Sequence, residues 1–419
     1  VYFLDKQTPP AEAVITRVEG NQAELWLGGL NPESLAAFET GAILSVVDAQ
    51  SQERGRVQLN SREGLIGRAS LLDRAQPGAF LQERARGIPT NLTLKIGLDP
   101  SLGNDTSRAK ETIAAISRLE ALPLQQQEVH YIFGRITPAY RQQFLAAQVA
   151  DIPAVGSLGL FSPALEIVPD SFGVSGETVA GALKRLRAKF QLLLAARIVK
   201  TALNTNSSRL NVVATMYPEG AGGLIASSFT VRGQTRDAAA NPPTPATPLN
   251  AQKLPIGVPV QLQVTNNEPD PLYLNVLAID PSGEMSVLFP NQWTADEEVM
   301  QIASGQTLKI PDPTKDSFRL VTQEPKGVTE VLILASPTPL REALLTLRRF
   351  AELRQRSRGP LSLDASEVSS EPAAVVDNLL DDLNNGIRGN VDNIPAREST
   401  IRNIDTTQLA ALSIAFEVI

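Results

Sequence analysis

The stretch PLYLNVLAIDPSGEMSVLFPN, residues 271–291, decides the fold of the C-terminal part of the chain. Two apolar runs of strand length flank Pro281-Ser282-Gly283, whose residue types favour a tight turn, so the pair reads as a β-hairpin. Outward from it, PVQLQVTNN (259–267), VMQIASGQTLKIP (299–311), DSFRLVT (316–322) and GVTEVLILAS (327–336) alternate or run apolar between turn signals. Short strands at this spacing predict an Ig-like β-sandwich. Helices follow in PLREALLTLRRFAELRQ (339–355) and PAAVVDNLLDDLN (372–384). The terminal LAALSIAFEVI places Leu412, Ile414, Phe416 and Val418 on one face of a strand. That strand is expected to return to the sandwich, making 257–419 one unit, because a free apolar edge invites aggregation.

Upstream the pattern changes twice. AVITRVEGNQAELWLGGL alternates around Gly20-Asn21, with Val14, Val18, Leu25 and Leu27 as the expected inward positions. PESLAAF follows as a short helix with Asn31 as its cap and Pro32 at its first position. Further strands in GAILSVVD and GRVQLNSREGLIGRASLL complete an SH3-like β-barrel over residues 1–75. Residues 76–232 carry the order βαββαβ, which predicts a ferredoxin-like α/β layer. Its strongest helix spans about 176–204, with Val179, Leu183, Leu186, Phe190, Leu193, Leu194 and Ile198 at a 3.6 period. Lys184, Arg185, Arg187, Lys189 and Lys200 mark its expected wet side. Residues 233–256, RGQTRDAAANPPTPATPLNAQKLP, have little from which to build a core and read as a linker or long surface loop. The fold class expected is therefore α+β and multidomain.

The 419 residues contain no Cys and one His, His130. A thiol nucleophile, a disulfide and any multi-His or Cys-ligated metal centre are excluded for this chain. The net charge of −7 argues against nucleic acid as the main partner, because phosphate binding rests on a basic face. No run approaches the roughly 20 apolar residues of a transmembrane helix. A start at Val1 in VYFLDKQTPP is expected of a processed or truncated piece of a longer protein.

YLNVLAIDPSGEMSVLFPN, IASGQTLKIP, FRLVTQEPKGVTEVLILAS, PTPLREALLTLR and IDTTQLAALSIAFEVI together resemble the C-terminal β-domain of bacterial, chiefly cyanobacterial, caspase-like proteins, the orthocaspases. AVITRVEGNQAELWLGGL and LTLKIGLDPSL with VHYIFGRI are similar to the stretch between the caspase-like domain and that β-domain. The resemblance covers most of the chain through structural motifs. It implies a catalytic His–Cys domain upstream as the natural partner, and no catalytic role for any residue here. The first expectation is a non-catalytic accessory, regulatory or partner-binding region of such a peptidase, cytoplasmic, with protein partners or substrates. The rival is a stand-alone structural or envelope-associated binding protein, periplasmic or at the envelope. A hydrolase of unrelated chemistry is the third class.

Each candidate constellation has a plainer explanation beside it. His130, next to Glu128 and among Val129, Tyr131 and Phe133, reads as a partly exposed strand histidine rather than a general base, since no nucleophile accompanies it. EGAGG (219–223) lacks the Lys-Ser/Thr of a phosphate loop. DDLNNGIRGNVD (381–392) places Leu383 and Asp392 where a calcium loop needs an oxygen ligand and Glu, so helix capping explains it better. Asp296, Glu297 and Glu298 read as a solvated turn. No catalytic, cofactor-binding or metal-ligating residue is therefore assigned, and no cofactor is expected. The candidate protein-contact residues are Trp293, on a sandwich loop, and Arg348 and Arg349, on the basic 339–355 helix. The alternative for that helix is that it buries Leu340, Leu344, Leu347 and Phe350 on its own domain.

Overall fold

The protein is described from a computed structural model, which covers residues 11–30, 35, 37–38, 40–124, 129–220, 223–234, 252–292, 297–342, 345–348, 359–363, 372–385 and 400–419. The fold is rich in β-structure, with several sheets and few helices.

Strands β1 (Ala13–Glu19), β2 (Gln22–Trp26), β3 (Ile43–Val47), β4 (Glu53–Glu63), β5 (Ile66–Leu71) and β6 (Phe80–Pro89) pair in the order β1-β2-β5-β4-β3-β6. Pairing of β1 with β6 closes them into a six-stranded barrel. Closure removes the exposed edges an open sheet of this size would carry. The barrel core takes Leu25 and Leu27 as expected, but on β1 it takes Ala13 and Ile15. A bulge between Ile15 and Arg17 shifts the register, leaving Val14 on the outer face and Val18 only partly packed. Asn31 and Pro32, the expected start of a helix, lie outside the described residues.

The second unit corrects the ferredoxin-like expectation. Strands β7 (Leu94–Leu98), β8 (Leu119–Pro123), β9 (Tyr131–Arg135) and β10 (Leu158–Phe161) pair in the order β10-β9-β7-β8. β7 runs parallel to both β8 and β9, and only β10 is antiparallel. A ferredoxin-like sheet is antiparallel throughout. Here the helix α1 (Thr106–Ala114) carries the chain from β7 to its neighbour β8 as a parallel crossover. β10 is buried along its whole length, and β7 is buried apart from Lys95, as a sheet largely covered on both sides requires.

Helix α2 (Pro138–Ala146) follows β9, and α3 (Val179–Lys200) follows β10. Thr178 caps α3 by accepting a hydrogen bond from the Gly181 N–H at 3.1 Å. The first half of α3 is amphipathic, with Lys184, Arg185 and Arg187 exposed. From Leu192 to Ala196 every residue is buried, because α3 threads between α1, β7, β10 and a later helix.

The remaining strands form two sheets. Val212–Pro218 (β11) and Ala226–Phe229 (β12) precede a short helix α4 (Val231–Gln234) and the strand β13 (Gln252–Leu254). Next come β14 (Pro259–Asn266), β15 (Leu272–Ile279), β16 (Met285–Phe289), β17 (Gln301–Ile302), β18 (Thr307–Ile310) and β19 (Leu320–Val321). The chain continues through β20 (Gly327–Ser336), β21 (Leu361–Ser362), α5 (Pro372–Asn385), β22 (Ile401–Asp405) and β23 (Ala410–Val418). One sheet is ordered β12-β11-β14-β18, with β19 also on β14. The other is β13-β23-β20-β15-β16-β21, with β17 on β15. β11, which the sequence pattern grouped with the α/β layer, thus pairs along its full length with β14. The terminal strand β23 lies between β13 and β20, with Leu412, Ile414, Phe416 and Val418 all buried.

Three polar joints tie these parts together. In the first, β22 extends the barrel sheet by pairing with the second half of β6, from Ile401 opposite Pro89 to Asp405 opposite Ala85. Arg402 on β22 bonds Asp377 (3.0 Å) and Asp381 (2.6 Å) of α5, and Asp377 also receives Arg118 at 2.7 Å. In the second, Asn204 acts as a strand partner for β23: its Oδ1 accepts from the Ala411 N–H at 2.7 Å and its Nδ2 donates to the Leu409 carbonyl at 2.9 Å. The third is a buried charge cluster. Arg86 bonds Glu83 (2.7 Å) and the carbonyl of Thr201 (2.7 Å), and it lies over the Phe38 ring. Glu12 accepts from the Glu83 N–H at 2.7 Å and pairs with Arg232 at 2.5 Å. Most of the buried apolar side chains of all these parts form one contiguous core.

Candidate functional site

A cleft of about 1280 Å³ lies where the α/β layer, α3 and the β15–β20 sheet meet. Its walls come from four places in the sequence: the start of β9, the last turns of α3, the loop after β10 with α2, and the β15–β16 turn with the N-terminal end of β20.

The β15–β16 turn shows how the wall is built. Asp280 Oδ1 accepts from the N–H groups of Ser282 and Glu284, each at 2.8 Å, folding the turn on itself. Gly283 has φ +83° and no room for a side chain, because a Cβ there would sit 2.4 Å from Leu193 of α3. Lys189, drawn down below the usual lysine range by burial, donates to the Ser282 carbonyl at 2.9 Å. The hairpin turn that is so plain in the sequence is thus a wedge against α3.

At one end of the cleft stand His130 and Tyr131. The His130 N–H donates to the Lys95 carbonyl at 2.9 Å, and the Lys95 N–H donates to His130 Nδ1 at 2.8 Å. An acceptor Nδ1 places the ring proton on Nε2. Burial pushes the imidazole down to about 3, and the nearby cations Arg197 and Lys95 push in the same direction. The ring is therefore neutral at physiological pH, a fixed hydrogen-bond donor and not a proton shuttle. Tyr131 is pushed up by burial against the opposing pull of Lys200 and Arg197, so its hydroxyl stays protonated. Lys200 pairs with Glu330 of β20, and Glu330 also accepts from Ser413 of β23 at 2.6 Å. Lys200 was expected on the wet side of α3; the ion pair instead fastens α3 to the sheet.

A second polar cluster sits at the carboxyl ends of β7 and β9, the edge where open α/β sheets commonly bind ligands. Asp99 is buried; its Oδ1 accepts from the Ser101 N–H (2.8 Å) and its Oδ2 from the Tyr140 hydroxyl (2.8 Å). Burial and the adjacent Asp99 raise Tyr140 to about 12. Gly134 is required there, since a Cβ would lie 2.7 Å from that of Asp99. Both carboxylate oxygens of Asp99 are satisfied within the cluster, which thereby caps the ends of β7 and β9.

The candidate contact residues fare differently. Trp293 and Arg349 lie outside the described residues. Arg348 is helical and half-buried, and Leu340 and Leu347 of the same segment are buried. Leu344 and Phe350 lie outside the description, as do residues 235–251, Asp296, and 386–392 of the calcium-like stretch. The composition of the cleft wall was missed by sequence reading. His130 was noticed, but nothing local reveals that Arg197 and Glu330 come to the same place. Among the described residues no group of acidic or His side chains is placed to hold a metal ion, and no helix is long and apolar enough to cross a membrane.

No curated protein and no solved structure matches the chain. A family profile described as a domain of unknown function (DUF4384) matches residues 253–339, which span β13 to β20 and supply the β15–β16 wedge and the β20 wall of the cleft.

Proposed function

We propose that this chain is a non-catalytic accessory, partner-binding region of a caspase-like cysteine peptidase whose catalytic domain lies upstream in the same protein. The observation that carries the reading is the match of residues 253–339 to a domain family that often stands C-terminal to caspase-like domains. The absence of Cys supports it, since a thiol peptidase must draw its nucleophile from outside this chain. The resemblance in the flanking segments extends the same reading upstream. The barrel, α/β layer and sheets share one core and frame a cleft, an arrangement suited to positioning a partner. The test begins with the complete polypeptide that contains Val1–Ile419. A His…Cys caspase-like domain upstream, copurifying with this chain when the two are expressed separately, is the expected result. The isolated chain should leave basic- and acidic-residue fluorogenic peptides intact. A parent polypeptide with an export signal and no such domain would instead make it an envelope-associated binding protein.

A further inference from the structure

We infer that the outer face of the barrel binds a proline-rich peptide of a partner chain, laid across strands β6, β1, β2 and β5 along the row Phe80, Val14, Trp26 and Ile66. The row is separate from the cleft and owes nothing to the identity of the parent polypeptide, so it goes beyond the accessory reading. Strand register builds it: Phe80 lies opposite Val14, Val14 opposite Trp26, and Trp26 opposite Ile66. Directly opposite residues share a face, and this face is the outer one, since the neighbouring Ala13, Ile15, Leu25 and Leu27 are in the core. Phe80 is 38%, Trp26 49% and Ile66 41% exposed, and Val14 is half-buried. The other exposed residues of β1 and β2 are all polar: Thr16, Arg17, Glu19, Gln22 and Glu24. The Trp26 ring lies against the Gly28 backbone, where an added Cβ would sit 2.2 Å from it, and turns its other side to solvent.

A second copy of the chain would need about 800 Å² from each partner. Side chains of roughly 150–250 Å², exposed to these fractions, offer on the order of 300 Å². The row is also one side chain wide. Beside it Arg17, Glu24 and Arg68 stand opposite one another in a charged row. An amphipathic helix lays down a stripe about 100° wide and would have to bury those charges. An added strand needs an unpaired edge, and closure of the barrel through β1 and β6 leaves none along this row. A polyproline II peptide is narrow, needs no edge and covers little area. Three strand spacings of about 4.8 Å make the row about 14 Å long, the reach of about five residues at about 3.1 Å each. Its fixed φ lowers the ordering cost, so a small apolar footprint suffices. Proline rings are apolar and pack on the open side of an aromatic ring. The bordering charges alternate in sign, and Arg17 is already paired with Glu19, so they favour an uncharged peptide over a strongly charged one.

The test uses the full 419-residue chain and fluorescence anisotropy of an N-terminally labelled octapeptide, Pro-Pro-Ala-Pro-Pro-Ala-Pro-Pro. The control is a flexible peptide of the same length made of Ala, Gly and Ser. The proline peptide should bind about tenfold more tightly or better, since the control must be ordered on binding. Trp26→Ala should weaken the proline peptide about tenfold or more, as loss of a central aromatic anchor does. Ile66→Thr keeps a β-branched residue at an exposed strand position, so it should leave the melting temperature intact while weakening the peptide about threefold. Equal binding of the two peptides, no binding of either at about 1 mM, or proline-peptide binding unchanged by both substitutions overturns the inference. A dimer seen by sedimentation equilibrium and dissociated by Trp26→Ala overturns it in favour of a second copy. A failure here is separable from a failure of the accessory reading, which the presence or absence of an upstream caspase-like domain decides.

Discussion

Two regions of the molecule bring ionisable side chains into the interior, and they do opposite things with them. At the junction of barrel and α3, Glu12, Glu83, Arg86 and Arg232 are all buried, with Glu83 1% and Arg86 3% exposed, and each charge meets an opposite one. At the cleft, His130 and Tyr131 are only half-buried, and their ring donors have no described partner. A buried charge must be paired to survive desolvation, so the first region is a joint. A half-buried neutral ring that is held on one side needs no opposite charge, so the second region lines a cleft where the first locks two parts together.

The largest expected effect would break the joint. Arg86→Met leaves Glu83 buried without its partner and also frees the Thr201 carbonyl, so it should cost about 3–5 kcal/mol in urea unfolding. A loss under about 1 kcal/mol would mean that the cluster is wetter than its burial indicates and would erase the contrast with the cleft. The next effect concerns the wedge that forms the cleft wall. Gly283→Ala forces a left-handed conformation on an L side chain and drives its Cβ toward Leu193, at about 1–3 kcal/mol. Adding Leu193→Ala should recover the steric part and not the backbone part, which a double-mutant cycle would read.

The smallest effect at neutral pH, and the one that sharpens the comparison, comes from His130. Its folded value lies near 3 and its unfolded value near 6.5, so below about pH 6.5 the unfolded chain binds a proton that the folded chain refuses. Stability is therefore lost as pH falls from about 6.5 toward 3. His130→Asn should flatten the stability profile in that window and change little at pH 8. A variant whose acid limb matches that of the parent chain would show that the imidazole titrates freely and faces water. Glu12 works in the opposite sense, since burial raises it despite Arg232, and the joint gains as that carboxyl becomes protonated.

Much of the local structure was legible in the residues. The period of two over Pro259–Asn266 became a strand that buries Val260, Leu262 and Val264. The 3.6 period and Thr178 marked α3, and the alternation of LAALSIAFEVI marked a strand of the sheet that holds β20. Each of these rests on a face that must be hidden, and the face is written in consecutive residues. The bulge in β1 was not legible, because one added residue reverses which side chains point inward without any distinctive composition.

Residue types alone settled that this chain holds no thiol chemistry and only one imidazole, and they marked the long helix α3 and many of the strands, though not β6, β8 or β22. Which strand lies beside which was left to the tertiary structure. β22 joins β6 across more than three hundred residues, β11 leaves the α/β layer for β14, and β7 takes parallel neighbours. The cleft depends on the same long-range choices, for His130, Arg197 and Glu330 share no local pattern. The physical reason is that an apolar strand face specifies only that it be covered. The partner that covers it is chosen by the packing of the whole core, and the polar groups at the seams come together only once that choice is made.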